Sequence, residues 1–218
     1  MIERKKENMK ECIDVLVPTT CGDNSSSPYD LLVRDDLDNR ILLINEQITE
    51  LVVDEQVMCI LRWNAEDKDL PIDKRKTITI YLNSVGGSIF VGQALIDVIL
   101  ASKTKVRTVG IGMVASMAYQ IFLAGHERIA FQNTSFLQHE GDSGISGMSA
   151  SKAKETMAFF DDMEERAKKY IIAKTNISEE TYDKFYKREW WMFSQEAKEN
   201  GIVDKIIGED CDIDCLFE

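Results

Sequence analysis

With 218 residues, of which 26 are basic and 38 acidic, the chain carries a net charge of −12 and has the length of one large domain with a sizeable core. That charge repels nucleic acid and anionic membrane surfaces, so neither is expected as a partner. Five scattered cysteines with no CxxC pair exclude a disulfide frame or a zinc-ligand cluster and fit reduced thiols. The charged N-terminus, MIERKKENMKECIDVLVP, lacks the apolar run of a secretory signal, which makes the cytoplasm the expected location.

In chain order, residues 1–29 end in the turn formers CGDNSSSPYD and read as a tail or arm with one short strand at Val15–Val17. The domain is expected over residues 30–208. Asn39–Ile44 reads as an apolar strand, and Thr49–Asn64 spaces Leu51, Val52, Val57, Ile60 and Leu61 as a helix does. Thr77–Leu82 is a β-branched strand that runs into Asn83-Ser84-Val85-Gly86-Gly87, after which Ser88 opens a helix over Ile89–Ala101. Glycines between a strand and a helix permit close backbone approach and leave N–H groups pointing outward.

The layout then repeats. Val106–Met113 is a strand and Ser116–Ala124 a helix closed by Gly125. The 18 uncharged residues from Thr108 to Gly125 approach the length of a membrane span, but their β-branched first half and their glycines read better as a buried strand feeding a buried helix. Arg128–Phe131 and Ser135–Gln138 flank a turn at residues 132–134, and His139 follows. After the Gly/Ser-rich stretch 141–149, Ser149–Thr175 sets apolar residues at three- and four-residue steps, a helix of nearly ~40 Å with Ser149 or Ser151 as N-cap. Glu179–Lys187 is a further helix, and Glu189–Phe193 is a bulky apolar patch. Ser194–Asn200 is a capped helix ending at Gly201, Ile202–Ile207 is a closing strand, and the acidic residues 209–218 are a frayed tail. Successive βα units imply an α/β fold with a mostly parallel sheet covered by helices.

The chemistry concentrates between Thr77 and Gly141. A serine at a helix start after a buried strand is most simply an N-cap. Yet Ser116 also stands where free N–H groups and the helix dipole stabilise an oxyanion, and the amide of Met117 supplies one donor. Only two histidines, His126 and His139, could act as a base. His126 follows the helix-ending glycine and reads as a loop residue, whereas His139 ends a strand beside a flexible segment. Hydrolysis by a serine is the leading expectation.

Four segments, GGS at 86–88, GMVASMA at 112–118, LQHEG at 137–141 and MFSQEAKENGIVDKI at 192–206, keep the order and spacing of one family. Over residues 29 to 208 the chain resembles ClpP, the proteolytic subunit of the ATP-dependent Clp protease. That resemblance implies the ClpP/crotonase-like fold of repeated β-β-α units with a protruding helix, the handle. It implies Ser116 as nucleophile, His139 as general base, the N–H groups of Gly87 and Met117 as oxyanion hole, and no metal or cofactor. The family's aspartate falls on Glu189, with Asp183 as the alternative third member. Val85 stands where the family usually has proline, and Glu140-Gly141 replaces Gln-Pro, the mark of a divergent member.

The resemblance further implies stacked seven-membered rings around a closed chamber, fed with unfolded protein by an AAA+ unfoldase. The handle and residues 141–149 would form the contact between rings, and residues before about 38 would gate the pore. A catalytically impaired structural subunit of mixed rings, or a crotonase-type acyl-CoA enzyme, is the competing expectation.

Overall fold

The computed structural model describes residues 28–141 and 147–217, the side chains of 28–31 aside. The expected strand at Val15–Val17, nearly all of the arm and most of the Gly/Ser stretch lie outside the described residues. In chain order the elements are α1 (Pro28–Asp38), β1 (Ile41–Ile44), a π turn at Val53–Val57 running into α2 (Met58–Glu66), β2 (Ile78–Ser84), α3 (Ile89–Ala101), β3 (Val106–Ala115), α4 (Met117–Ala124), β4 (Glu127–Phe131), β5 (Ser135–Gln138), α5 (Ala150–Lys174), α6 (Glu179–Phe185), β6 (Trp190–Phe193), α7 (Ser194–Glu199) and β7 (Lys205–Ile207). Strands β1, β2, β3, β4 and β7 lie side by side in that order, each pair parallel. β5 joins β3 in parallel and β6 in antiparallel fashion, so the sheet is mostly parallel, as expected for the α/β class.

β2 and β3 explain why the sequence reads as unbroken apolar runs: both faces of these strands are covered. On one face Ile78, Ile80, Leu82, Val106 and Val114 are fully buried against Leu95 and Ile99 of α3 and Ala118 and Phe122 of α4. On the other, Val109 and Ile129 pack against Ile207, Cys215 and Leu216. The acidic C-terminus therefore does not fray. A 3₁₀ turn at Ile213–Leu216 leaves Ile213 and Asp214 outward and turns Cys215 and Leu216 inward, and Arg107 Nη1 donates to the Leu216 carbonyl at 2.9 Å. Charge dominates the sequence pattern there, while two buried side chains decide the structure.

β3 serves two neighbours because its register slips. Leu82 pairs with Gly110 but Ser84 pairs with Val114, so two residues of β2 span four of β3. Gly112, at φ 64°, takes the turn of this bulge, and Asn83 Oδ1 accepts from Met113 N at 3.0 Å to hold it. Before the bulge β3 pairs with β4; after it, with β5.

Other expectations need correction. Ser88 and Ser178 do cap their helices through Val91 N and Thr181 N. Ser149 occupies the N-cap position of α5 without a capping bond, its Oγ lying 3.3 Å from Ser151 Oγ. Ser194 is the first residue of α7, and its hydroxyl donates to the Phe131 carbonyl at 2.7 Å, tying that helix to the β4–β5 turn. The bulky patch at 189–193 is strand β6, with Trp190 and Met192 buried and Trp191 and Phe193 exposed. In α5 only Met163 and Ile171 are buried, so its N-terminal half stands clear of the domain, a protruding handle.

His126 is structural. The residue lies in an exposed loop, as expected, but its Nδ1 accepts from Val106 N at 3.0 Å, which a ring protonated there cannot do, and desolvation of the ring, with Lys174 and Lys105 nearby, holds its pKa below the ordinary 6.5. The unfolded chain therefore binds the proton more readily, so this contribution to stability is present above about pH 6.5 and lost as pH falls through the lower folded value. Urea titrations of His126→Asn between pH 7 and pH 5 should show a flatter pH dependence than wild type, and an unchanged slope would refute this role.

Candidate active site

Ser116 joins β3 to α4 with φ 55° and ψ −122°, a left-handed backbone that costs a non-glycine residue on the order of 1–3 kcal/mol. Its hydroxyl caps no helical amide, which corrects the N-cap reading; the side chain is half-buried. The backbone around it is fully engaged. Ser116 N donates to Leu137 O at 3.0 Å, and Ser116 O accepts from Tyr119 N at 3.0 Å and Gln120 N at 3.3 Å. Strain held by such surroundings belongs to sites where a side chain must be presented in one direction.

The Gly-Gly turn lies against this residue. A methyl on Gly86 would stand 2.7 Å from Ser116 Cβ, 2.8 Å from Ala115 O and 2.9 Å from Met117 N. Gly86, at φ 95°, is thus required twice, by its backbone and by the lack of room. Its N–H donates to buried Ser84 Oγ at 3.2 Å. Ile48 fixes the turn from the far side, donating to Gly86 O and accepting from Ser88 N, both at 2.9 Å. Since the groups flanking Gly87 face Ile48 in this bridge, the N–H of Gly87 itself faces the opposite way. Met117 N, first in α4, has no carbonyl one turn earlier in its helix to bond. Gly92 of α3 makes room for the Met117 side chain, whose Sδ would lie 2.7 Å from a methyl there.

Strand register gathers the remaining candidates. Ala115 of β3 pairs with Leu137 of β5, and Gln138 of β5 pairs with Trp190 of β6. One residue beyond those last pairs, Ser116, His139 and Glu189 leave the ends of three adjacent strands at one edge of the sheet. His139 is half-buried and Glu189 exposed. The Glu189 carboxylate accepts from Trp191 Nε1 at 3.0 Å and draws no bond to His139. Hydrogen bonds of this kind often tighten only when a substrate is bound. Asp183, the alternative acid, sits on α6 and pairs with Lys168 Nζ at 2.7 Å, so the register brings Glu189 rather than Asp183 level with His139.

Sequence reasoning singles out Ser116, His139, Gly87 and Met117 as candidates but passes over Ile48, Asn83, Ser84 and Gly86, which build the turn around them. Asn-Ser before a Gly-Gly turn is a usable signal for local hydrogen bonding. Ile48 carries none, because its role is a backbone pairing across some forty residues of chain.

Comparisons with known proteins place the chain in a family. The Clp protease family model matches residues 24–210. Proteolytic subunit 2 of the ATP-dependent Clp protease from Corynebacterium diphtheriae is 32% identical over 186 residues, covering 84% of this chain and 87% of that protein. The corresponding subunit 2 of Thermobifida fusca is 30% identical over 183 residues, covering 81% and 85%. Among solved structures, a point mutant of ClpP1 from Listeria monocytogenes superposes with a TM-score of 0.69 at 29% identity, covering 81% of this chain and 95% of that one. Neither the crotonase reading nor the impaired-subunit reading is favoured by these likenesses. By sequence and by fold the chain belongs to the Clp protease family, as a divergent ClpP-like serine protease.

Proposed function

We propose that Ser116 is the nucleophile, His139 the general base and Glu189 the acid that orients it, with the N–H groups of Gly87 and Met117 as oxyanion hole. The observation that carries this reading is the register of β3, β5 and β6, which leaves these three residues at neighbouring strand ends. His139 takes the Ser116 proton as the hydroxyl attacks a peptide carbonyl, and then returns it to the departing amine. Water, activated by the same imidazole, releases the acyl chain from Ser116. Through both steps the two amides hold the oxyanion, each donor contributing about 3 kcal/mol to the lowered barrier. A glutamate serves as well as an aspartate for holding an imidazole, as other Ser-His-Glu sites do.

The substrates are unfolded proteins or peptides, delivered by an AAA+ Clp unfoldase into a chamber of stacked heptameric rings in the cytoplasm. Support for ring stacking comes from α5, whose free half exposes Met157 at 43% and Phe159 at 53%, with Met148 at 50% just before it. Large apolar side chains exposed on a protruding helix suit an interaction surface. Among the described residues no helix is long and apolar enough to cross a membrane.

Hydrolysis of a small fluorogenic peptide at matched oligomer size tests the catalytic roles. Ser116→Ala should abolish turnover and covalent labelling by a fluorophosphonate, and Glu189→Gln should slow turnover by roughly 10²-fold or more. Equal activity in the serine variant would remove the mechanism. Thermal melts separate strain from chemistry: Ser116→Gly should be more stable than Ser116→Ala by about 1 kcal/mol, and the reverse order would deny the strained turn. Phe159→Asp should shift sedimentation from the double ring towards single rings, and an unchanged profile would place the ring contact elsewhere.

A further inference from the structure

The assignment of Glu189 leaves a physical problem. The carboxylate hangs on three rotatable bonds at an exposed strand end, and fixing such a side chain in one rotamer costs up to roughly 2 kcal/mol of entropy. The structure offers a solution in the next outward-facing residue. Trp191 is 46% exposed, so packing does not account for a tryptophan there, and its Nε1 donates to Glu189 Oε2 at 3.0 Å. The adjacent Trp190 faces inward at 7% exposure and gives its own N–H to Glu196 Oε1 at 3.1 Å. Two successive tryptophans thus hold different carboxylates on opposite faces of β6.

Alternation along the ribbon of β5 and β6 decides which face matters. Leu137 pairs with Trp191, so Leu137, His139, Trp191 and Glu189 share one face, opposite the buried Phe136, Gln138, Trp190 and Met192. We propose that Trp191 is the positioning residue of the catalytic acid: its indole N–H takes Oε2 and leaves Oε1 for the imidazole of His139. This inference rests on Glu189 being the acid partner. A neutral donor suits the task because it restrains the carboxylate without cancelling its charge, which the imidazolium formed during attack requires.

The test is peptide hydrolysis across pH by the assembled protein, with oligomer size checked for each variant. Trp191→Phe keeps an aromatic ring and removes the N–H. It should lower kcat about 3- to 10-fold, the worth of one ordinary hydrogen bond at a half-exposed site, leave KM within about twofold, and shift the acidic limb of the kcat/KM profile. In a Glu189→Gln background the same change should add nothing. Placing 3-benzothienylalanine at position 191 exchanges only the N–H for sulfur and should reproduce the loss, which keeps the test decisive if the phenylalanine variant fails to assemble. Wild-type kinetics in the benzothienyl protein, or full multiplication of the two effects in the double variant, would overturn the positioning role. A wild-type rate in Glu189→Gln alone would instead overturn the assignment of the acid, so the two failures are told apart.

Discussion

The arrangement depends on the bulge in β3. Without the two extra residues between Gly110 and Val114, β3 would continue beside β4, and β5 would have no place in the sheet. With them, the last three residues of β3 pair with β5, and the strand ends against the carbonyl of Leu137. Asn83 is what makes the slip definite. It accepts from Met113 N at 3.0 Å and donates to Asn45 Oδ1 at 2.7 Å, so the bulge is anchored to β2 and to the loop after β1. A serine held at φ 55° by its neighbours is the local result; a shared edge for three chemical groups is the wider one.

Around that edge the structure divides its tasks by rigidity. The turn at Ser116 is enclosed by Gly86, Ile48 and the buried helices α3 and α4, where close packing tolerates little movement. Glu189, by contrast, stands at an exposed strand end and has one indole N–H for restraint. On the proposed roles, the least mobile parts are those that would point hydrogen-bond donors, and the more adaptable part is the one that would orient a ring.

Much of this is legible in the sequence, for reasons that can be named. Ile89–Ala101 can be read to the residue because Ser88 is a true cap and Ala101 precedes a polar turn. Strands β2 and β3 announce themselves through their β-branched residues. What escapes is set by partners distant in sequence. Trp190-Trp191-Met192-Phe193 looks like a patch, since two tryptophans in a row mask a period of two, and only pairing with β5 makes it a strand. Ser194 looks like a cap until the β4–β5 turn supplies a better acceptor. Helix α1 gives no strong sign, as Pro28–Asp38 mixes acids and apolar residues without clear capping.

The docked C-terminal turn carries a consequence for biosynthesis. The second face of the sheet, around Val109 and Ile129, gains its cover from Ile207, Cys215 and Leu216, the last two of which leave the ribosome after every strand they protect. During translation that apolar surface therefore stays open to solvent while the first face is already closed by α3 and α4. Nascent chains halted short of residue 216 would present a greasy flank to chaperones and to one another, because Cys215 and Leu216 belong to its cover.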